Sequence, residues 1–192
     1  MDYTETTLTC EEKYRGRIIY VHRDTVSLPD GGAAVREVVE HSGGVGVLPV
    51  DEHRNAWCVR QFRYPLGEHL LEVPAGKLEP GEAPLDCAVR ELAEETGFTA
   101  AEFTYLGMLY PSPGYCRETL HIYLATGLTR GQAHLDKGEF LDVEQYPLDE
   151  LYDMVMRGEL ADAKSAMAVL KAKLILDERE RTNGEKGFDR GR

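Results

Sequence analysis

The chain has 192 residues, enough for one domain with a real core or a core domain with a small appendage. Its formal net charge of −12, from 22 Lys and Arg against 34 Asp and Glu, argues against binding by neutralisation of nucleic-acid phosphates or at an anionic membrane surface. Hydrophobic residues at 42% and charged residues at 29% suit a soluble globular protein, so an anionic small molecule is the remaining charged ligand, and the protein must recruit positive charge for it locally.

The N-terminal stretch MDYTETTLTCEEKY is polar and acidic, with no apolar targeting core. Residues 15–28 are rich in β-branched side chains and residues 34–41 resemble them; the turn Pro29-Asp30-Gly31-Gly32 between them predicts a β-hairpin. Residues 43–50 and 56–64 flank the polar run 51–55 and predict a second hairpin. Residues 69–76 form a short strand ending in Pro74 and Gly76. A helix from about Ala83 to Thr96 follows, with Pro84 in its first turn and Gly97 where it stops. Its apolar stripe is Leu85, Ala88, Val89, Leu92 and Thr96.

Strands over 102–110 and 118–128 come next, separated by the turn residues 111–114. A polar loop holding Asp136 and Glu139 leads to a last strand at 140–146. Residues 148–158 and 162–176 are helical, the second with an apolar face of Ala163, Ala166, Met167, Leu170 and Leu174. The tail 179–192 is charged, contains Gly and is expected to be disordered. The mixture lacks regular β-α alternation, so the fold class is α+β. No apolar run is long enough to span a membrane. The cysteines Cys10, Cys58, Cys87 and Cys116 form no C-x-x-C pair, which argues against a zinc ribbon and for a reduced, cytoplasmic protein.

The segment from Gly76 to Phe98 crowds Glu79, Glu82, Glu91, Glu94 and Glu95 onto or beside one helix. Glu91 and Glu95 are one turn apart, and like charges at that spacing weaken a helix. A hard divalent cation reverses the sign, because Mg²⁺ and Mn²⁺ bind carboxylate, carbonyl and phosphate oxygens together. Arg90, four residues before Glu94, can pair with it.

The spacing is Gly76, five residues, Glu82, seven residues, then Arg90-Glu91-Leu92-Ala93-Glu94-Glu95-Thr96-Gly97-Phe98. This resembles, without a departure, the Nudix hydrolase signature G-x5-E-x7-R-E-U-x-E-E-x-G-U. Seven fixed identities coincide by chance on the order of once in 10⁸ to 10⁹ starts. The resemblance implies an α/β/α sandwich with a mixed sheet, here extended by N-terminal antiparallel strands. It also implies Mg²⁺-dependent hydrolysis of a nucleoside diphosphate linked to a further group. Glu91 and Glu95 would be the principal metal ligands, with Glu94 and Glu82 assisting and Arg90 orienting them.

Outside the signature, Glu72-Val73-Pro74-Ala75-Gly76, Pro113 and the C-terminal helix resemble the ADP-ribose pyrophosphatase branch of that family. That resemblance implies the Ala75 carbonyl as a metal ligand and Arg63 as a holder of diphosphate or ribose. It gives Arg36 a substrate contact, from the partner subunit of a homodimer. Glu139 would be the catalytic base, with Asp136 as the alternative. The expected reaction yields AMP and ribose 5-phosphate. Expected organisation is a dimerisation region at 1–42 and the catalytic domain at 43–178. Two other readings stay open: a Nudix enzyme for another nucleotide sugar, and a non-catalytic metabolite-binding module.

Overall fold

The structure, a computed structural model, describes residues 2–189, with side chains as far as residue 182. Its elements in chain order are β1 (Thr6–Arg15), β2 (Ile19–Ser27), β3 (Ala33–His41), β4 (Gly44–Pro49), β5 (Asn55–Arg63), β6 (Glu68–Glu72), β7 (Ala75–Lys77), α1 (Pro84–Thr96), β8 (Phe98–Leu109), β9 (Leu120–Arg130), β10 (Leu141–Pro147), α2 (Leu148–Arg157) and α3 (Ala163–Asp189). The chain divides into two compact units, Met1–Gly43 with Tyr110–Leu120, and Gly44–Leu109 with His121–Arg192.

The first unit is an antiparallel sheet in the order β1-β2-β3. β2 and β3 are the predicted hairpin, closed by backbone bonds between Leu28 and Gly32 and between Gly31 and Leu28. β1 is an additional strand that the sequence does not announce. All ten of its residues are exposed, and its apolar Leu8 and Tyr14 are too few among Thr, Glu, Lys and Arg to make a regular alternation. Its pairing with β2 is irregular between Thr7 and Thr9 and between Glu12 and Tyr14. The segment 110–120, which the sequence reading assigns to the catalytic domain, joins this unit through Val39. The Val39 N–H donates to Tyr115 O at 2.8 Å and Val39 O accepts from the Arg117 N–H at 2.9 Å.

The second unit holds a four-stranded sheet, β7-β4-β9-β8, and a three-stranded sheet, β10-β5-β6. The expected hairpin of β4 with β5 does not form: a single bridge, Val50 to Ala56, links the residue after β4 to β5. Each has better partners, β4 in β7 and β9, β5 in β6 and β10. Every residue of β4 is buried, as befits a strand covered on both faces. Val45 and Val47 pack with Cys87, Ala88 and Leu92 of α1. Gly46, pointing the other way, faces Ile122, Val73 and the Lys164 stem of α3. Helices therefore lie on both sides of β4, α1 on one and α3 on the other.

α1 starts and stops where expected, but two helical faces differ from their apolar patterns. Leu85 and Val89 are each 45% exposed, while Glu91 and Glu95 are buried with Cys87, Ala88, Leu92 and Thr96. On α3 the buried positions are Lys164, Ser165, Ala168, Val169 and Ala172, and Leu174 is 67% exposed. The cause is the same in both helices. The inward face carries polar groups with assigned partners, and a pattern of apolar residues counts such groups as surface. The tail expected to be disordered continues α3 as helix to Asp189; its last three residues, 190–192, lie outside the described residues. Among the described residues no helix is long and apolar enough to cross a membrane.

Candidate active site

The loop after β7 and the helix α1 bring the glutamates together around one guanidinium. Arg90 Nε donates to Glu82 Oε1 at 2.9 Å and its Nη2 to Glu82 Oε2 at 3.0 Å. Its Nη1 serves both Glu91 at 2.6 Å and Glu94 at 3.0 Å, and Nη2 also reaches the Lys77 carbonyl at 3.2 Å. The Arg90 pair and the Glu79 N–H hold the Glu82 carboxyl down at about 2.

Glu95 lies one turn beyond Glu91, with only 4% of its surface exposed. Its carboxylate accepts the Ala75 N–H at 2.9 Å and pairs with no cation among the described residues. Burial pushes its carboxyl up to about 8; the Ala75 N–H opposes this, and the charges of Glu91 and Glu139 add to it. Burial also raises Glu91; the Arg90 bond opposes it, and the charges of Glu94 and Glu139 reinforce it. The charge of Glu139, in the loop before β10, is thus a lesser upward influence on both buried carboxyls. Asp136 is exposed; its N–H and carbonyl bond to Glu139 across the turn.

The need for Gly76 is one of space. The Glu91 carboxyl lies directly against its α-carbon, and a Cβ there would overlap that carboxyl. Gly97 is required by conformation as well as space: φ is 74°, its N–H caps α1 on Ala93 O, and a Cβ would meet the Ala133 nitrogen at 2.7 Å.

Arg63 sits at the end of β5 and forms a two-pronged pair with Glu72, at 2.6 and 2.7 Å. Glu72 is fully buried and also bonds Lys164. Burial works against its charge, but the two cations outweigh burial and lower its pKa. Ser165 Oγ accepts the Val73 N–H at 2.8 Å, fixing the strand end that leads to Ala75. The sequence reading names Arg63 but misses Lys164 and Ser165; a lone glutamate in the apolar run Leu70-Leu71-Glu72-Val73 is the signal that a buried cation was needed. Arg36 belongs to the first unit, on β3, where it pairs with Glu5 through Nε at 2.9 Å and through Nη2.

The residues fit a hard divalent cation. Among the described residues Arg90 pairs with Glu82, Glu91 and Glu94, Glu95 pairs with no cation, and Glu91 and Glu95 are buried with their charged forms disfavoured. Mg²⁺ needs no closed cage of protein ligands, since it uses one or two carboxylates with waters and substrate phosphate.

The Nudix domain family model matches residues 40–169. The ADP-ribose pyrophosphatase of Bacillus subtilis strain 168 is 41% identical over 167 residues, covering 86% of this chain and 90% of that protein. The methanol dehydrogenase activator of Bacillus methanolicus is 37% identical over 169 residues, covering 87% and 91%. A crystal structure of an ADP compounds hydrolase superposes with a TM-score of 0.81 at 25% identity, covering 92% of this chain and 96% of that one.

Proposed function

The chain belongs to the Nudix family, and from that premise we propose that it hydrolyses the diphosphate bond of ADP-ribose, or a related ADP-sugar, to AMP and ribose 5-phosphate. The observation that carries the reading is the pair of buried carboxyls, Glu91 and Glu95, set one turn apart beside Ala75 and Gly76 with too few cations to neutralise them. Glu91, Glu95 and the Ala75 carbonyl would hold Mg²⁺ or Mn²⁺, with Glu94 and Glu82 assisting. Such an ion, when bound, offsets diphosphate charge and makes water a better nucleophile.

The chain's own groups have the remaining tasks. Arg90 keeps Glu82, Glu91 and Glu94 in one orientation. Glu139 accepts the proton of the attacking water; the water oxygen adds to one phosphorus and the bridging P–O bond breaks. Arg63, anchored by Glu72, presents its charge to diphosphate or ribose.

Residues 1–42 act in this reading as a dimerisation region, and 43–178 as the catalytic domain. Leu8, Tyr14, Ile18 and Val35 are exposed apolar side chains of the first unit, the kind of surface a second copy would cover. Arg36 would then reach substrate in the partner's site. Four free cysteines suit a reduced, cytoplasmic setting.

The test is a panel of ADP-ribose, other ADP-sugars, GDP-mannose and NADH with Mg²⁺, read by the nucleotide released. ADP-ribose should give the highest kcat/KM, with AMP as product. Another nucleotide sugar in first place would move the substrate assignment, and no Mg²⁺-dependent release from any compound would leave a binding module instead of an enzyme.

A further inference from the structure

A second group of ligating side chains lies in the first unit, on the β1-β2-β3 sheet. Cys10 of β1 stands directly opposite Asp24 of β2, and His22 lies two residues from Asp24 on the same face. Their ligand atoms, one from each residue, all fall within 4.8 Å of one another. Among the described residues no other three Cys, His, Asp or Glu side chains do so. Cys10 Sγ is 3.5 Å from His22 Nδ1, and Nδ1 is 2.8 Å from Asp24 Oδ1. His22 and Asp24 are buried while Cys10 is exposed, which leaves a route to solvent.

The Cys10 thiol and the Asp24 carboxylate both converge on His22 Nδ1, and one N–H cannot serve both. The other nitrogen, Nε2, faces Glu40 Oε1 at 3.3 Å, and Glu40 is itself held by Arg117 at 2.7 Å. A carboxylate on Nε2–H leaves the Nδ1 lone pair directed at Cys10 and Asp24, the outer support that metal-bound histidines usually have. Tyr20 stacks on the imidazole with centroids 5.3 Å apart, fixing the ring plane.

We propose that Cys10, His22 and Asp24 bind a zinc-class divalent ion, with Glu40 as the positioning residue for the imidazole. A thiolate and a carboxylate balance the double charge, and sulfur with imidazole nitrogen selects zinc-like ions over Mg²⁺. Zinc bonds of about 2.3 Å to sulfur and about 2.0–2.1 Å to nitrogen, at a tetrahedral angle, put those two atoms about 3.5 Å apart. That is the separation of Cys10 from His22. The ion would tie the fully exposed strand β1 to β2 between its two irregularities. The site shares no residue with the glutamate cluster, so it stands or falls apart from the proposed hydrolysis.

The test uses the full chain, stripped with a chelator and given stoichiometric Co²⁺. A thiolate-to-cobalt charge-transfer band should appear and should be displaced by Zn²⁺. It should be lost in Cys10→Ser and kept in Cys116→Ser and Glu95→Gln, since cobalt held by the α1 carboxylates has no sulfur ligand. In the unmodified chain, Zn²⁺ should also protect Cys10 from alkylation, mapped by mass spectrometry. No band in the wild-type chain, a band surviving in Cys10→Ser, or undiminished alkylation of Cys10 in Zn²⁺ would overturn the proposal.

Discussion

The α1 carboxylates and the Cys10–His22–Asp24 group are assembled by opposite means. Glu82, Glu91, Glu94 and Glu95 come from a stretch of fourteen residues, the end of one loop and the helix that follows it, and Glu82, Glu91 and Glu94 bond Arg90. Cys10, His22, Asp24 and Glu40 come from three strands and converge because strand register sets Cys10 opposite Asp24, and sets Glu40 opposite Tyr20 and so diagonal to His22. A helix writes its geometry into local spacing, whereas a sheet writes it into pairing, which no short stretch contains. The chemistry differs accordingly: a loose oxygen-rich cradle on the helix suits Mg²⁺ that also holds substrate, and a tight mixed-donor trio on the sheet suits an ion that stays.

The largest effects should come from the cradle and leave the sheet untouched. Glu139→Gln is expected to lower kcat roughly 10²–10⁴-fold with Mg²⁺ affinity kept, as loss of a general base does. Glu95→Gln should lower kcat roughly 10²–10³-fold, the scale for removing a preorganised charge, and weaken Mg²⁺ binding. Steady-state kinetics and Mg²⁺ titration read both. Near-normal turnover in Glu95→Gln would remove it from the metal ligands; unchanged kcat in Glu139→Gln would pass the base to Asp136 or another carboxylate.

Gly76→Ala comes next. The added methyl must displace the Glu91 carboxyl, and crowding of a packed site typically costs about 1–3 kcal/mol. Thermal melting should show that loss, and kcat should fall while KM for substrate changes less. A variant with wild-type melting and kcat would mean that Glu91 moves aside freely and does not need its place against Gly76.

These residues also mark where the sequence was readable. The helix bounds, the glutamate spacing and the Arg90 partnership follow from local periodicity, and the β2-β3 hairpin follows from its turn. What was hidden depends on long-range pairing or on buried polar groups. Nothing in residues 43–64 says that β4 and β5 part into different sheets, because the same polar turn can serve either outcome. Lys164 and Ser165 look like surface until Glu72 and Val73 are placed against them, 92 residues away in sequence. Gly76 reads only as the end of a strand, because the group that crowds it, Glu91, is known to be there only in three dimensions.

A titration separates the two regions more finely. Glu95 has an ordinary value of 4.5 and a folded value of about 8. Between those values the folded chain holds a proton that the unfolded chain has released, so stability falls as pH rises. Glu91 is raised and acts in the same sense. Glu82, lowered to about 2, keeps its contribution throughout this window and loses it only in stronger acid. His22 is raised by the bond to Asp24, with burial opposing and Glu40 adding, so its contribution is present at low pH and also fades as pH rises. In chelator, the melting temperature should therefore drop on the order of several °C from about pH 5 to pH 8. Mg²⁺, by favouring the charged carboxylates, should flatten the α1 part, and Glu95→Gln should remove most of it. What is left in Glu95→Gln belongs to Glu91 and His22. A melting temperature that rises over this range in chelator would contradict the buried, protonated Glu95.

The smallest effect should come from Arg36→Ala in the first unit, and it bears on whether that unit reaches substrate at all. Arg36 is exposed and its described partner is Glu5, and exposed ion pairs of this kind add little to stability. Melting should therefore be unchanged. If the guanidinium contacts substrate across a homodimer, losing one charge-assisted hydrogen bond should raise KM roughly tenfold while kcat holds. Sedimentation at the assay concentration must show a dimer for that rise to mean a contact from the partner subunit. An unchanged KM in a proven dimer would confine Arg36 to its own sheet as a partner for Glu5, and the first unit would then touch the chemistry only by holding two copies together.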